Sequence, residues 1–261
     1  MHHRSALIPL AMLATLGALA PVPAAAEDKP LGKSFVENFD RLSPKLWFTS
    51  DGWNNGDYQN CTWLKRNVSI ADGKLKLSYG AQKTKDRDYG CAEVQTHPRY
   101  GFGTFEVRLK AAKGAGLNSS MFSYIGPVHK QPWDEIDFEI LGKDPSKVQL
   151  NQYVDGKGKH EKLVPVAGGA DAGFNDYAFV WEKDRLRYYI NGDLVQTVTD
   201  PAAIPSHPQK IYLAIWGSET LKDWLGTFVD PGEAALEVDR VSYTAPGDPC
   251  QFPESIACVS Q

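Results

Sequence analysis

The chain has 261 residues, enough for one large β domain or two small ones. Its 42% hydrophobic content supports a full core, and its 23 glycines and 17 prolines, together with 11 Phe, 7 Trp and 11 Tyr, favour a turn-rich β fold with aromatic binding surfaces. The net charge is −4 and no basic cluster is present, which argues against nucleic acid or an anionic membrane surface as a partner.

The segment 1–26 has the pattern of a signal peptide. A short basic start that includes Arg4 precedes an apolar run over 6–20, and an A-x-A cleavage pattern ends at Ala26. The apolar run has about 15 residues, fewer than the roughly 20 that cross a bilayer. We therefore expect a secreted protein, extracellular or periplasmic, that begins near Glu27. A retained membrane anchor is the alternative.

Export also bears on the four cysteines. The most local of their three pairings joins Cys61 to Cys91 and Cys250 to Cys258. An oxidising compartment favours disulfides over free thiols. Metal binding is the competing interpretation, but the chain after the predicted signal peptide has no C-x-x-C motif and no clustered histidines.

Alternation of apolar and polar residues predicts β-strands along most of the remaining chain. The segments with this pattern are 75–79, 105–109, 135–139, 148–153, 177–181, 185–190, 211–216 and 236–243. Asn191-Gly192 is a strong hairpin signal, whereas helical character is limited to a turn near 201–204. Many short antiparallel strands predict an all-β, two-sheet sandwich. We expect one domain over 27–244 and a disulfide-closed tail over 245–261.

One predicted strand carries a row of three carboxyl groups, from Glu135, Asp137 and Glu139. Successive side chains in a strand point to opposite faces, so the three share one face and the intervening apolar residues enter the core. Three like charges in a row raise the pKa of at least one carboxyl group. Enzymes that cleave glycosidic bonds use a protonated carboxylic acid beside an ionised carboxylate. The alternative is a solvated strand face, but no Lys or Arg lies within 133–142.

The motif W-D-E-I-D-F-E-I-L-G over 133–142 resembles the active-site strand of glycoside hydrolase family 16 in its lichenase form without a bulge. The similarity covers nearly all of 34–244, through the motifs G-W-N-N-G from 52, N-C-T-W from 60, C-A-E from 91, G-F-G-T-F-E from 101, N-Q-Y from 151 and D-W-L-G from 223. The family implies a β-jelly-roll sandwich and a retaining endo-glucanase without a catalytic cofactor. By position, Glu135 would be the nucleophile and Glu139 the general acid/base, with Asp137 tuning their pKa values and orienting the nucleophile.

Aromatic and amide side chains suit a sugar-binding cleft. Aromatic rings pack against the C–H faces of sugars, and the candidate platforms are Trp53, Phe122, Tyr124, Trp133, Tyr153, Trp216 and Trp224. The resemblance places Trp133, Trp216 and Trp224 in the cleft. The candidates for hydrogen bonds to sugar hydroxyls are Asn55, Glu93 and Asn151. The alternatives are core packing for the rings and turn or ladder stabilisation for the polar groups.

The resemblance also implies a structural calcium ion. Family members bind it with a carboxylate on the C-terminal strand and with backbone carbonyl groups near the N-terminal strand and the D-G-K-L turn. The corresponding positions here are Asp239, Asn38 and Gly73. Calcium accepts oxygen ligands of this kind. The alternative for Asp239 is a surface salt bridge.

Within the family, the chain is similar to the secreted endo-1,3-1,4-β-glycanases of rhizobia that depolymerise succinoglycan. This similarity rests on D-G-W-N-N-G from 51, F-N-D-Y-A-F-V-W-E-K from 174 and the tail from C-Q-F at 250 through Cys258. The chain departs from the cereal-glucan lichenases at Gln95, where they carry Arg, and at Ala214, where they carry Asn. The implied partner is a β-glucan or exopolysaccharide, bound by a monomer.

Four functions compete on these observations. The first is a retaining endo-β-1,3-1,4-glycanase that acts on a succinoglycan-type exopolysaccharide. The second is a transglycosylase on the same scaffold, and the third is a lichenase acting on mixed-linkage β-glucan. The fourth, a non-catalytic carbohydrate-binding protein, has no need of the complete carboxyl row, so intact Glu135 and Glu139 argue against it.

Overall fold

The computed structural model describes residues 30–259, and the predicted signal peptide lies outside the described residues. Two four-residue helices, α1 (Lys222–Leu225) and α2 (Ile256–Val259), accompany the strands. The strands are β1 (Phe35–Glu37), β2 (Trp47–Thr49), β3 (Cys61–Trp63), β4 (Val68–Ala71), β5 (Lys74–Ala81), β6 (Tyr89–Thr96), β7 (Gly103–Lys110), β8 (Leu117–Ile125), β9 (Asp134–Leu141), β10 (Lys147–Tyr153), β11 (Lys162–Pro165), β12 (Asn175–Trp181), β13 (Leu186–Ile190), β14 (Asp193–Val198), β15 (Lys210–Gly217) and β16 (Ala234–Thr244).

Fifteen of the described strands form two antiparallel sheets, and β3 pairs in parallel with β6. The first, which we call the cleft sheet, has the order β11-β10-β9-β8-β15-β6, with β2 paired to β6. The second, the outer sheet, has the order β5-β16-β7-β12-β13-β14, with β4 on β5 and β1 on β16. Pairing of β5 with β6 joins the two sheets at a corner. This architecture confirms the predicted all-β, two-sheet sandwich.

The core between the sheets is built by the alternation seen in the sequence. Ile136 and Phe138 on β9 are fully buried, on the face opposite the carboxyl row. The Phe138 ring contacts Tyr177, Phe179 and Tyr188 of the outer sheet at centroid distances of 5.5, 6.3 and 5.5 Å. Each such apolar side chain contributes about 1.5–3 kcal/mol on burial. This packing fixes the register of β9 and hence the direction of its carboxyl groups.

All eight predicted strands are present, with ends that differ by a few residues. Asn191 and Gly192 form the predicted hairpin turn with φ of 50° and 88°, the two positive angles of a type I′ turn. The predicted turn near 201–204 is a short 3-10 helix, Pro201–Ala203. The prediction missed α1, α2, β11 and the short strands β1 to β4, because three or four residues are too few to show a period. It also missed β6 and β8, which are buried on both faces along most of their length and so lack a regular alternation.

Both predicted disulfides, Cys61–Cys91 and Cys250–Cys258, are present. The tail that contains the second lies against the outer sheet, away from the cleft sheet. There the backbone N–H of Ile256 and the hydroxyl of Ser255 donate to the Glu106 carboxylate, at 2.8 and 2.5 Å. Neither helix in the described range is long and apolar enough to cross a membrane.

Candidate active site

The carboxyl row lies on β9 in the middle of the cleft sheet, between β8 and β10. Asp137 is paired with Phe122 on one neighbouring strand and with Asn151 on the other. It is only 3% exposed, whereas Glu135 and Glu139 are half-buried at either side of it. All three carboxyl groups line one cavity, as expected from the prediction that they share one face of the strand.

Hydrogen bonds distinguish the three carboxyl groups. The indole N–H of Trp133 donates to Glu135 Oε2 at 2.6 Å, and Asp137 also hydrogen-bonds to Glu135. The side-chain amide of Asn118 donates to Glu139 Oε1 at 3.0 Å. Asp137 Oδ1 is buried and has no hydrogen-bond partner among the described residues. Asp137 therefore has one oxygen directed to Glu135 and one without a donor.

Burial and mutual repulsion raise the pKa of every carboxyl group in the row. Burial raises the pKa of Glu135 to about 7, although the donors Trp133 and Asp137 oppose the shift. Burial and then the charge of Glu135 raise the pKa of Glu139 to about 8. Burial and the charges of both glutamates hold the pKa of Asp137 well above its ordinary value. The row of three carboxyl groups therefore retains protons at neutral pH. Glu135, which accepts two hydrogen bonds, is the residue best stabilised in its ionised form.

The row lies where two cavities meet. The larger cavity has a volume of about 620 Å³ and the smaller about 290 Å³. Trp133, Glu135 and Glu139 line both, so one continuous cleft crosses β9. The larger cavity contains the predicted binding residues Trp53, Asn55, Glu93, Phe122, Tyr124, Trp133 and Trp216. The smaller contains Asn151, Tyr153 and Trp224. The structure thus brings all ten predicted binding residues together.

The aromatic rings of the cleft are arranged as pairs. Trp133 stacks on Tyr153 with centroids 4.9 Å apart and lies 38% exposed. Trp216 lies 5.9 Å from Trp224, whose indole N–H donates to Gln149 at 2.7 Å. Rings that are held in place and still exposed offer flat apolar faces to a sugar at a low entropic cost.

The three polar candidates line the cleft and also have partners in the protein. Asn55 accepts a hydrogen bond from the Trp63 indole at 3.4 Å, and Asn151 accepts one from the His160 backbone at 3.2 Å. Glu93 accepts from the Ser50 hydroxyl at 2.6 Å, and burial raises its pKa to about 7. Each of the three residues therefore also stabilises the local structure, which was the alternative to sugar binding.

Several cleft residues were not predicted. The main ones are Phe48, Tyr58, Ser120, Val128, Gln149, Glu161 and Tyr212. Two of them could have been found from the strand period of two. Gln149 lies two positions before Asn151 and Tyr212 four positions before Trp216, so each shares a strand face with a predicted residue. Tyr58 comes from an irregular loop and contacts Trp216 at 5.6 Å, a proximity that no local pattern indicates.

His129 also lines the larger cavity, where its hydrogen-bond partner is Tyr212 and not a carboxyl group of the row. Its Nε2 lies 3.0 Å from the Tyr212 hydroxyl. Burial, followed by the charges of Lys210 and Arg99, lowers the pKa of His129 to about 4. A neutral imidazole therefore ties the loop before β9 to the cleft floor.

The predicted calcium ligands lie on the outer sheet, away from the cleft. The Asp239 carboxylate is 3.4 Å from Arg108 Nε and 4.0 Å from Lys74 Nζ, so the salt bridge named as its alternative is present. Asn38 and Gly73 are exposed. A calcium ion at Asp239 would have to replace these two cations as its partner, so the residues fit such an ion poorly.

A second carboxylate cluster lies at the start of β9. Asp134, Asp155 and His207 approach within 4.8 Å, but the buried Asp134 carboxylate already accepts from three backbone N–H groups and from His207 Nδ1. These bonds join the first residue of β9 to the segments around 155 and 206. The cluster therefore anchors the strand that carries Glu135.

Paired carboxyl groups on the central strand of an aromatic cleft, within a two-sheet β-sandwich, define a glycoside hydrolase. The chain belongs to glycosyl hydrolases family 16, whose family model matches residues 55–230. This confirms the resemblance inferred from the active-site motif.

The relatives support the same assignment. The endo-1,3-1,4-beta-glycanase ExoK of Rhizobium meliloti (strain 1021) is 58% identical over 226 residues, which cover 87% of this chain and 84% of that protein. The beta-glucanase of Paenibacillus macerans is 41% identical over 215 residues, covering 82% and 89%. A solved lichenase from a mouse hindgut metagenome has a TM-score of 0.78 and 39% identity, covering 82% of this chain and 99% of that one. The predicted jelly-roll fold is confirmed.

Proposed function

We propose that the protein is a retaining endo-β-1,3-1,4-glycanase that cleaves a bacterial exopolysaccharide of the succinoglycan type. The observation that carries the proposal is the placement of Glu135 and Glu139 on either side of buried Asp137, at the floor of the aromatic cleft. The Rhizobium meliloti relative, which is 58% identical and is named an endo-1,3-1,4-beta-glycanase, supports the linkage.

The proposed reaction has two steps. Glu139 is protonated and donates its proton to the glycosidic oxygen, while the Glu135 carboxylate attacks the anomeric carbon and forms a glycosyl-enzyme ester. The leaving sugar chain departs as an alcohol. Glu139, now a carboxylate, then removes a proton from water as the water attacks the anomeric carbon and releases Glu135. Two inversions leave the configuration retained.

The neighbours of the row fit these roles. The Trp133 indole and protonated Asp137 both donate to Glu135, which lowers the basicity of the nucleophile and fixes its orientation. The raised pKa of Glu139 keeps this group protonated for the first step, and it falls when the charge on Glu135 is consumed by the ester. The charge of one glutamate therefore sets the protonation of the other.

The position of the row between the two cavities supports internal cleavage. Sugar units in the larger cavity and in the smaller cavity would lie on opposite sides of the bond at Glu135 and Glu139. An enzyme that acts on chain ends needs a closed pocket on one side. A cleft lined on both sides suits an endo-acting enzyme.

The second candidate is a lichenase that acts on mixed-linkage β-glucan. It is favoured by the beta-glucanase of Paenibacillus macerans and the mouse hindgut lichenase, which are 41% and 39% identical to this chain. Transglycosylation would use the same glycosyl-enzyme ester with a sugar in place of water.

The deciding experiment is incubation with succinoglycan, lichenan, laminarin and xyloglucan, followed by sizing of the products and NMR of their anomeric configuration. Glu135→Gln serves as the inactive control. Shorter succinoglycan fragments with a retained β configuration support the proposal. Preferred cleavage of lichenan selects the second candidate, products longer than the substrate indicate transglycosylation, and no turnover at all contradicts an enzymatic role.

We infer export and a monomeric state. The two disulfides suit an oxidising compartment, and the signal-like pattern over 1–26 suits secretion. N-terminal sequencing of the exported protein, with a start near Glu27 expected, tests the first inference. Light scattering of the purified protein tests the second.

Structural calcium stays a prediction from the family resemblance. Binding would raise the melting temperature by mass action. Thermal unfolding with calcium and with a chelator tests this, with Asp239→Asn as the control. An identical melting temperature in both conditions contradicts the prediction and leaves Asp239 as the partner of Arg108 and Lys74.

A further inference from the structure

Two cations, Arg99 and Lys210, lie near His129, which lines the larger cavity, and burial and then the charges of both lower the pKa of His129. The backbones of Tyr100 and Gln209 pair in an antiparallel bridge, and both side chains are buried in the core. Their neighbours Arg99 and Lys210 therefore face the opposite side of the sheet, toward the cleft. Lys210 is also paired with Tyr124, whose ring lines the larger cavity.

Hydrogen bonds link Lys210 to residues that line the cleft. Lys210 Nζ donates to Gln95 Oε1 at 3.0 Å, and the Tyr212 hydroxyl donates to the same oxygen at 3.1 Å. Gln95 and Tyr212 both line the larger cavity. Phe48 lies opposite Gln95 on the edge strand β2 and is 43% exposed, so an open aromatic face borders the same position.

The cations do not line either cavity. The smaller cavity is lined by Glu135, Asp137, Glu139 and Glu161, the larger one by Glu93, Glu135 and Glu139, and no Lys or Arg among the described residues lines either. The positive charge of Arg99 and Lys210 therefore lies beyond the larger cavity, on the side of Gln95 and His129. A neutral glucan gains nothing from this charge, whereas a chain with an anionic group that extends past the cavity does.

The carboxyl group that responds to Lys210 is Glu93, which is buried and bonded to Ser50. Burial raises the pKa of Glu93 to about 7, so near neutral pH this carboxyl group is only partly ionised. Arg99 forms no ion pair with a carboxylate of residues 30–259. A carboxylate from the substrate would complete this charge arrangement.

We infer that Arg99 and Lys210 form a subsite for a sugar unit that carries a carboxylate, with Phe48 as the adjoining platform; the inference rests on the proposed function. The guanidinium of Arg99 suits a bidentate bond to the carboxylate, and the ammonium of Lys210 supplies a second donor beside it. The substrate class is therefore an acidic β-glycan whose carboxylate lies on the larger-cavity side of the cleaved bond.

The test uses succinoglycan in four forms. One is untreated, one is treated with mild base to remove ester-linked acids, one with mild acid to remove ketal-linked acids, and one has its carboxyl groups reduced to alcohols. For each form the measured quantity is the ratio of its kcat/KM to that of the carboxyl-reduced form. The treatment that removes the preference identifies how the recognised carboxylate is attached.

The variants are Arg99→Gln and Lys210→Gln, with Lys76→Gln on the outer sheet as the control of equal charge change. At low ionic strength, Arg99→Gln should lower the untreated-to-reduced ratio about tenfold, and salt should shrink the difference because it screens exposed charges. Arg99→Lys should recover most of the ratio. Lys76→Gln should match the wild-type protein.

An untreated-to-reduced ratio that stays within twofold of wild type in both Arg99→Gln and Lys210→Gln overturns the inference. If the wild-type protein cleaves none of the four forms, the proposed function fails first. Affinity electrophoresis then still decides the inference, using Glu135→Gln with and without Arg99→Gln in gels that contain the same polymers. Stronger retardation by the untreated polymer that depends on Arg99 supports the subsite, and equal retardation overturns it.

Discussion

Asp137 donates a hydrogen bond to Glu135 on the same face of β9, and this bond adds to that from the Trp133 indole in favouring the ionised form of Glu135. Asp137 is the more buried partner and lies between two glutamates, and burial and both charges hold its pKa well above the ordinary value. The hydrogen bond that the Asp137 proton makes to Glu135 stabilises the Glu135 carboxylate. The middle residue therefore acts as the donor that keeps the proposed nucleophile charged.

Replacement of Asp137 separates this donor role from its charge. Asp137→Asn keeps a donor toward Glu135 and is expected to lower kcat only a few-fold. Asp137→Ala removes a hydrogen bond to a charged group, about 1.5–3 kcal/mol, so kcat should fall roughly 10- to 150-fold. Steady-state kinetics on the polysaccharide checks both values. Equal losses in the two variants would show that Asp137 has another role.

The pH dependence of hydrolysis should follow the two glutamates. The proposed mechanism requires ionised Glu135 and protonated Glu139, whose pKa values are raised to about 7 and about 8. We expect a bell-shaped profile of kcat/KM that falls on the acid side as Glu135 gains a proton and on the alkaline side as Glu139 loses one. Because the groups are coupled, the two limbs belong to the pair.

Glu139→Ala should lose hydrolysis of the polysaccharide and the alkaline limb of that profile. A substrate with an activated leaving group needs no acid, so this variant should cleave it, and azide should accelerate turnover by intercepting the glycosyl-enzyme ester. Glu135→Gln should remain folded but inactive on both substrates. Near wild-type hydrolysis of unactivated polysaccharide by Glu139→Ala contradicts the proposed roles.

The raised pKa of Glu139 also predicts a stability effect. A carboxyl group whose pKa is higher in the folded state favours folding below its unfolded pKa, and that contribution is lost as the pH rises through the folded value of about 8. Glu139→Gln should therefore raise the melting temperature at pH 8 by about 2–4 °C, if relief is roughly 1 kcal/mol, and change it little at pH 4. An equal shift at both pH values would indicate a packing effect.

The disulfides should differ in their contribution to stability. Cys61–Cys91 spans 30 residues and Cys250–Cys258 spans 8, so chain entropy gives about 3.6 and about 2.5 kcal/mol. The first also adjoins Gln59, whose side chain accepts from the Asn55 backbone in the cleft. Cys61→Ser/Cys91→Ser should therefore lower both melting temperature and activity.

Cys250→Ser/Cys258→Ser is the matched control for that pair. It should lower the melting temperature less and leave kcat near wild type, because its tail contacts the outer sheet through Glu106. Thermal unfolding and kinetics of both double variants check the comparison. Unchanged stability and activity in Cys61→Ser/Cys91→Ser would remove the proposed role of that bridge in shaping the cleft.

The sequence predicted the parts of the site that depend on a local period. The row Glu135, Asp137 and Glu139 follows from strand alternation alone, because burial of Phe138 on the opposite face of β9 directs the three carboxyl groups to the cleft. Tyr58 could not be predicted this way, since its place beside Trp216 depends on a loop. That loop is held by Arg87, which donates to the backbone carbonyls of Gln59 and Gly56 at 2.7 and 3.0 Å. Contacts between segments distant in sequence leave no periodic signal.

The structure sharpens the expectation about substrate choice. Ala214 is 1% exposed and lies between Glu93 and Ser120 on the cleft floor, so no side-chain donor or acceptor is present at this position. Gln95 retains polar contacts, but its Oε1 is already bonded to Lys210 and Tyr212. Both positions that differ from the cereal-glucan lichenases therefore offer less to a neutral glucan.

We predict that the wild-type protein prefers succinoglycan to lichenan. A missing hydrogen bond at a desolvated site costs about 1–3 kcal/mol, so two independent losses should lower kcat/KM on lichenan roughly ten- to a thousand-fold. Ala214→Asn should raise the lichenan-to-succinoglycan ratio of kcat/KM about tenfold. Gln95→Arg alone should not raise this ratio, because Arg cannot accept the hydrogen bonds from Lys210 and Tyr212 that Gln95 accepts. It should raise the ratio further only when it is combined with Ala214→Asn. Competition assays with both polymers measure the ratio directly. Equal or better cleavage of lichenan by the wild-type protein contradicts the preference and places the chain functionally with the lichenases.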